Sequence, residues 1–384
     1  MEFDQRRSSI AIAKDVAFLT LEDKYRGTIS QAIGGALVIC GLYFTWGTAR
    51  LSESSSIRQQ QSEALAKLGQ SDVKGEPQLA ARLDGIYTLA NMLARLQGDT
   101  EAVCEVLMNY VVAEIPRRQS PTTRVSGVVQ AMPDVEACLR AIGGYRGKRP
   151  QRDRQFSIRK LNLSGWVITR WHLRDFSMNL CELNDSKLDA CVWKRVEIMS
   201  CEMGECELAG ARLGKVSFID TNGPILGDSL NADNVSFLTC NLRGSEFPGA
   251  FFKATRFSNS NFSEANFVGS NLSRTTAGIC SFERARFDKA KLSQVTMDEC
   301  NFHESTFDQA TFTDVRVIDC NFAGSTFKAA VFSGFAGVKC SFEGVSFEDA
   351  DLSGADFRLC TGITIEQIMA AKEAPDRDKL PLGM

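Results

Sequence analysis

The chain has 384 residues, a formal net charge of −3, 13 Cys and only 2 His. This length admits two or three domains, and the near-neutral charge excludes a chain-wide attraction to nucleic acid or anionic lipid. An odd cysteine count in so long a chain excludes a small disulfide-stapled scaffold, and the absence of any CxxC pair removes zinc-ribbon and thioredoxin-like readings.

Residues 1–26 form a polar N-terminal segment. From Gly27 to Ala49 there are 23 residues without a charge, between Arg26 and Arg50. A helix rising ~1.5 Å per residue crosses the ~30 Å hydrocarbon core in about 20 residues, so 27–49 is expected to be a transmembrane helix. Tyr43 and Trp46 lie toward its end, where an aromatic belt would sit. The alternative is a buried core helix, which Ser30, Gln31 and the glycines keep open. A cleaved signal peptide fits less well, because 26 residues precede the run and no small-x-small site follows it. Basic residues flank the run equally, so the orientation rests on cysteine usage, which favours a reducing compartment. The expectation is a single-pass inner-membrane protein with a cytoplasmic C-terminal portion. Ala32 and Gly34 to Ala36 would allow close packing of spans in a homo-oligomer.

Residues 50–145 read as helical. A polar stalk over 50–70 precedes Leu83, Ile86, Tyr87, Ala90 and Leu93, which mark one face of a helix. Val103, Leu107, Tyr110 and Val111 repeat the pattern, and a shorter helix opens at "MPDVEACLRAIGG". Residues 146–160 hold seven basic residues against one Asp. They read as a solvated linker, or else as a patch for phosphate or lipid headgroups.

From Leu161 the period changes. Every fifth residue is apolar, from Leu163 to Phe218, and again from Phe237 to Phe357 one residue out of phase, with a register break at about 219–234. Neither a helix nor a strand places a side chain on one face every five residues over such a length, so the pattern means a solenoid. Two residues before each centre stands a small or β-branched residue, as at Ala265, Ala285, Ser305, Ser325 and Ala350. Taken at intervals of twenty, these small positions fall into four columns, one reading Cys240, Ser260, Cys280, Cys300, Cys320, Cys340 and Cys360. Four columns mean four sides, with twenty residues per circuit. A straight column of parallel side chains cannot converge four sulfurs on a zinc, and its Cβ spacing exceeds that of a disulfide, so these cysteines are expected to be packing residues.

"CNLRG" (240–244), "ANFVG" (265–269), "CNFAG" (320–324) and "ADLSG" (350–354) resemble the A-(D/N)-L-x-x consensus of the pentapeptide-repeat family. The resemblance covers roughly 161–362. It implies a mainly β fold, a right-handed quadrilateral β-helix, here preceded by a transmembrane helix and a small α-helical region. Residues 363–384 resemble the helix that closes many such chains, with Thr364 and Gln367 at capping-box spacing. "RLDGIYTLANML" and the two helices after it resemble a helical region found in a membrane-anchored bacterial group, although Ala90 and Asn91 depart from its Leu-Glu.

No catalytic, cofactor-binding or metal-ligating residue is expected. No phosphate-loop, dinucleotide, zinc-protease or nucleophile-elbow motif occurs, and His172 and His303 occupy outward positions. The acidic "CEMGECE" (201–207) could hold a cation, but alternating wall positions ordinarily face water. The expected function is non-enzymatic: a membrane-anchored scaffold for an unidentified protein partner. One alternative is mimicry of DNA toward an enzyme such as gyrase, as some pentapeptide-repeat proteins do. Residues 161–362 carry 26 acidic against 19 basic residues, a mild excess with the basic residues interspersed. Another alternative is an oligomeric membrane pore acting in stress or phage defence. A nucleic-acid partner is not expected.

Overall fold

A computed structural model describes residues 55–70, 78–95, 100–118, 132–144 and 156–381. The expected span Gly27–Ala49 lies outside the described residues, as does most of the basic stretch. Among the described residues no helix is long and apolar enough to cross a membrane. The chain divides into a helical unit and a solenoid unit.

The helical unit contains α1 (Ser55–Leu68), α2 (Leu79–Arg95), α3 (Thr100–Arg118) and α4 (Pro133–Gly144). The polar stalk expected over 50–70 is, from Ser55, a helix packed on α2. Ala64 and Leu68 of α1 are buried. Gly85 of α2 makes this approach possible, since a Cβ there would lie 2.5 Å from the Ala64 carbonyl oxygen. Ile86, Leu89, Leu93, Leu107, Val111, Val135 and Leu139 fill the interior.

That interior also holds charge. The buried Arg82 guanidinium donates to the Tyr110 hydroxyl (3.1 Å) and to Glu114 Oε2 (3.0 Å), and the Tyr110 hydroxyl donates to Asp134 Oδ2 (2.5 Å). Burial, and then the hydrogen bond to Asp134, push the Tyr110 phenol well above its ordinary range. Three helices are thereby tied through one buried cation. Removing one member would leave an uncompensated charge.

The solenoid is a right-handed β-helix of about ten turns. Its parallel strands pair in register at intervals of twenty, as in Leu173↔Trp193 and Phe252↔Leu272. Four faces follow from the centres. The first runs from Leu163 to Phe342, the second from Ile168 to Phe347, the third from Leu173 to Leu352 and the fourth from Ile158 to Phe357. The third and fourth carry the principal sheet, and the first two are joined chiefly by single bridges. The first strand, Phe156–Arg159, already pairs with Phe176–Asn179. The stretch 146–160, expected as a linker, therefore ends inside the solenoid.

Each five-residue unit turns a corner. The residue two after the centre adopts a left-handed conformation, as at Arg170 (φ 57°), Asp185 (57°), Lys289 (59°) and Glu304 (56°). Such a φ costs an L-residue ~1–2 kcal/mol. Backbone bonding offsets this: Asp185 N–H donates to the Gly204 carbonyl in the next coil (2.8 Å), and Ser186 N–H closes the corner on the Leu183 carbonyl (3.2 Å).

The core is built from stacked rings. Phe282, Phe302 and Phe322 stack on the first face at 5.0 and 4.9 Å, 4° and 3° from parallel. Phe267, Phe287, Phe307 and Phe327 stack on the second at 4.8, 5.0 and 4.8 Å. The ~4.8 Å separation of paired strands sets this spacing. Several inward hydroxyls are satisfied by the coil before, as in Ser305 Oγ to Phe282 O and Ser325 Oγ to Phe302 O, both 2.7 Å.

The expected register break at 219–234 is a one-residue shift inside a continuous solenoid. Glu202↔Asn222 pair at an interval of twenty and Cys206↔Ile225 at nineteen. One unit, Thr221 to Pro224, is a residue short, and the coil continues. The interval of nineteen persists through Arg212↔Asn231 and Phe218↔Phe237. The apolar rhythm vanishes here because the two inward positions exchange sizes. The centres are Gly227 and Ala232, and the positions before them hold the buried Ile225 and Leu230. The same exchange occurs at Gly337, whose partner is the buried Phe335. A Cβ on Gly337 would lie 2.5 Å from Cys360 Sγ.

The rule of one large and one small residue also fails in the first coil. Leu161, Trp166, Trp171 and Phe176 fill its small positions and are all buried, with Trp171 set edge-on to Trp193 at 6.3 Å. An end coil lacks a neighbour on one side and has room for bulkier groups. At the other end α5 (Ile365–Met369) forms the expected capping box between Thr364 and Gln367. The chain after it covers the open edge, with Leu352 N–H donating to Glu373 O (2.9 Å).

Gly337→Leu should overpack this section and destabilise by ~1–3 kcal/mol, with part of the loss recovered in Phe335→Ala/Gly337→Leu. Urea unfolding followed by far-ultraviolet circular dichroism would measure both. In the helical unit, Asp134→Ala should cost ~3–5 kcal/mol by leaving Arg82 undercompensated, read as a lower melting midpoint.

Candidate functional site

With inward positions filled by core side chains, chemistry is left to the outward residues, which form straight columns one coil apart. The first face begins with an amide ladder. Asn261 Nδ2 donates to Asn241 Oδ1 (3.0 Å), and Asn321 Nδ2 to Asn301 Oδ1 (3.1 Å). The same residues accept from backbone two positions on, as Asn261 Oδ1 does from Ser263 N–H (3.0 Å). The Asn of the repeat is thus a turn residue and a rung, not a ligand.

Charge is sorted by face. The first face presents Glu182, Asp185, Glu202, Glu205, Glu264, Glu283, Glu304 and Glu343 against Arg243 and Arg284, a net of −6. The second has eight acidic residues (Asp189, Glu207, Asp228, Glu246, Asp288, Asp308, Glu348, Asp349) against five basic (Arg170, Lys187, Arg286, Lys289, Lys328), a net of −3. The third reverses sign, with Arg174, Lys194, Arg195, Arg212, Lys215, Lys253, Arg274 and Lys291 against Asp175, Asp233, Asp314 and Asp351, a net of +4. The fourth is nearly balanced and carries the exposed Leu180, Ile279 and Leu359. The basic residues interspersed along the chain therefore concentrate opposite the most acidic wall. A linear charge count misses this, because each face takes its residues from every fourth unit.

The Cys column lies on the first face's inward side, and all its members are buried, free thiols. From Cys181 to Cys340 each sulfur sits by the carbonyl two residues back: Cys201 by Met199 O (3.3 Å), Cys240 by Leu238 O (3.3 Å), Cys320 by Ile318 O (3.2 Å). Ser260 makes the same bond to Ser258 O (2.8 Å). Burial pushes the Cys240 thiol above its ordinary range, as it does Cys206 on the second face and Cys191 on the third. These sulfurs are held as neutral packing groups rather than nucleophiles.

His172 and His303 both face outward. The ring Nδ1 of His303 lies 2.9 Å from Ala323 O, and its Nε2 lies 3.5 Å from Glu304. In "CEMGECE" the acids diverge: Glu202 and Glu205 belong to the first face, while Glu207, on the second, pairs with Lys187 (3.0 Å). Among the described residues no group of three His, Cys, Asp or Glu is placed to hold a metal ion. The buried Arg82–Tyr110–Glu114–Asp134 cluster was not legible from the sequence. Its only signal was a charged residue on the apolar face of each helix.

A profile described as Pentapeptide repeats matches eight copies at residues 239–274, 280–317 and 318–361. Residues 239–361 of the solenoid are pentapeptide repeats. The units before residue 239 lie one residue out of phase with these; the small positions of the first coil hold Leu161, Trp166, Trp171 and Phe176, and those from Cys181 to Thr221 hold Cys, Ser, Val, Ala or Thr. The solenoid is similar to HetL, a pentapeptide repeat protein involved in heterocyst differentiation regulation from the cyanobacterium Nostoc sp. strain PCC 7120. The identity is 12%, over 54% of this chain and 89% of that one, with a TM-score of 0.28. It is also similar to QnrB1, a plasmid-mediated fluoroquinolone resistance protein, with 16% identity over 56% and 97% of the two chains and a TM-score of 0.30. A pentapeptide repeat protein of the Arabidopsis thaliana thylakoid lumen is 20% identical over 36% and 84%, with a TM-score of 0.18. No curated protein matches the chain.

Two outcomes follow for the Cys column. Cys320→Ser should be tolerated within ~1 kcal/mol, because the hydroxyl inherits the Ile318 carbonyl, whereas Cys320→Leu should overpack by ~1–3 kcal/mol. Burial raises the folded-state pKa of Cys191, Cys206 and Cys240, so at these three thiols the unfolded chain loses its protons first. Stability should therefore be constant below the ordinary thiol range of ~8.5 and fall as pH rises above it, as melting midpoints across pH would show.

Proposed function

We propose that this chain is a non-enzymatic, membrane-tethered interaction module whose pentapeptide-repeat rod presents chemically distinct faces to a protein partner. The sorting of charge onto faces carries this reading. A rod whose interior is filled by side chains offers a partner only its walls, and here the first wall is acidic and regularly spaced. Glu182, Asp185, Glu202 and Glu205 stand exposed on two adjacent coils and would receive a partner with a basic surface.

The anchor rests on the uncharged run Gly27–Ala49. The free thiols suit a reducing compartment, which supports a cytoplasmic position for the rod at a bacterial inner membrane. DNA mimicry is the second reading, favoured by the acidity of the first two faces. Their combined net of −9 over a rod of ~45 Å gives about one net charge per ~5 Å, against one per ~1.7 Å in duplex DNA. The scaffold reading fits that density better.

A photo-crosslinker at Asp185 in the full-length chain should give a discrete adduct in native cells, lost when Glu202 and Glu205 become Lys. Adducts that persist unchanged in that variant contradict the acidic-face reading. Recovery of full-length protein in the soluble pool without detergent contradicts the anchor. Inhibition of gyrase supercoiling by the purified chain at low excess would favour mimicry instead.

A further inference from the structure

The third face carries charge that the protein does not neutralise itself. From His172 to Gln294 it presents eight basic residues against Asp175 and Asp233, a net of +6 over the first seven coils. Asp175 is engaged by Arg195. Lys194, Arg212, Lys215, Lys253, Arg274 and Lys291 are all exposed, and none has a carboxylate partner among the described residues. On the acidic wall, by contrast, Glu264 pairs with Arg243 (2.6 Å) and Glu304 with Arg284 (2.8 Å).

A second observation lies within the same patch. Phe251 is 53% exposed, although its strand neighbours at the same position are Asn231 and Asn271. It projects from the coil that also carries Lys253, with Arg274 on the next. An aromatic ring standing out of a basic wall suits the boundary between headgroups and acyl chains. One ring is not a stacking platform for bases. The face is also straight, because its strands pair in register without a bulge from Arg212 to Thr313. A flat cationic wall meets a bilayer along its whole length, but touches a nucleic-acid cylinder only along a line.

We infer that the third face is a docking surface for an anionic lipid bilayer, with Phe251 entering the interface and the six unpaired cations set on headgroup phosphates and carboxylates. The surface extends the membrane reading above but rests on the wall itself, not on Gly27–Ala49. Each basic residue near an anionic surface strengthens binding about fivefold, so reversing two of them should weaken it by about 25-fold or more.

The test is amine footprinting of the full-length chain. The chain is mixed with vesicles of phosphatidylcholine alone or with added phosphatidylserine, at low and high salt. Labelling of Lys194, Lys215, Lys253 and Lys291 should fall several-fold on the anionic vesicles only and recover at high salt. Labelling of Lys187, Lys289 and Lys328 on the second face should not change. Lys194→Glu/Lys215→Glu should lose the protection, and Lys187→Glu/Lys328→Glu, equal in charge change, should keep it. Circular dichroism would show that both fold. Flotation with neutral vesicles reports on the span alone. A chain that floats with both vesicle types, but whose third-face lysines stay fully reactive, overturns the face and leaves the anchor. A chain that floats only with anionic vesicles and is protected upholds the face and removes the anchor. Protection by duplex DNA and not by vesicles overturns the lipid assignment in favour of a nucleic-acid surface.

Discussion

Every coil of the solenoid must fill the same cross-section if its strands are to pair with the coils on either side. Four sides supply two inward residues each, so eight side chains share one fixed volume. When Phe occupies a centre, the companion is a small or β-branched residue (Ala, Ser, Cys, Val or Thr), and when the centre shrinks to Gly227 or Gly337 the companion grows to Ile225 or Phe335. The parallel ring stacks and the column of thiols are consequences of that sharing. So is the repeated left-handed corner, a conformation ~1–2 kcal/mol uphill for most residues that adjacent coils hold in place by backbone hydrogen bonds.

The five-residue period and the twenty-residue circuit were legible because they follow directly from this constraint. So was the one-residue register shift at 219–234, but the unit that loses the residue, Thr221 to Pro224, was not. A reading based on large apolar centres fails where volume moves to the companion residue, as it does from Ile225 to Ala232. The bulky first coil was hidden for a related reason, since Trp166 and Trp171 obey the constraint of an end rather than of a stack. In the helical region the apolar stripes identified the helices, but the pairing of Arg82 with Glu114 and Asp134 depends on which helices meet. Local periodicity does not contain that.

The surface follows a different logic from the core. Outward positions are free to vary, yet their charges divide by face, and this division becomes visible only when residues twenty apart are brought together. Glu182 and Lys194 are twelve residues apart in sequence but belong to opposite walls. A net charge of −3 for the chain therefore conceals a face at −6 and another at +4. For a rod with a filled interior, such walls are where specificity resides, and the amide ladder of the first face holds its outward columns in a fixed spacing.

Amide hydrogen exchange across residues 221–234 of the full-length chain tests most directly whether shared volume, rather than unbroken sequence rhythm, holds the rod together. The account predicts protection there equal to that of the coils on either side, 201–220 and 240–260. Exchange in that stretch at the rate of an unstructured loop, with protection confined to the flanking coils, would contradict it.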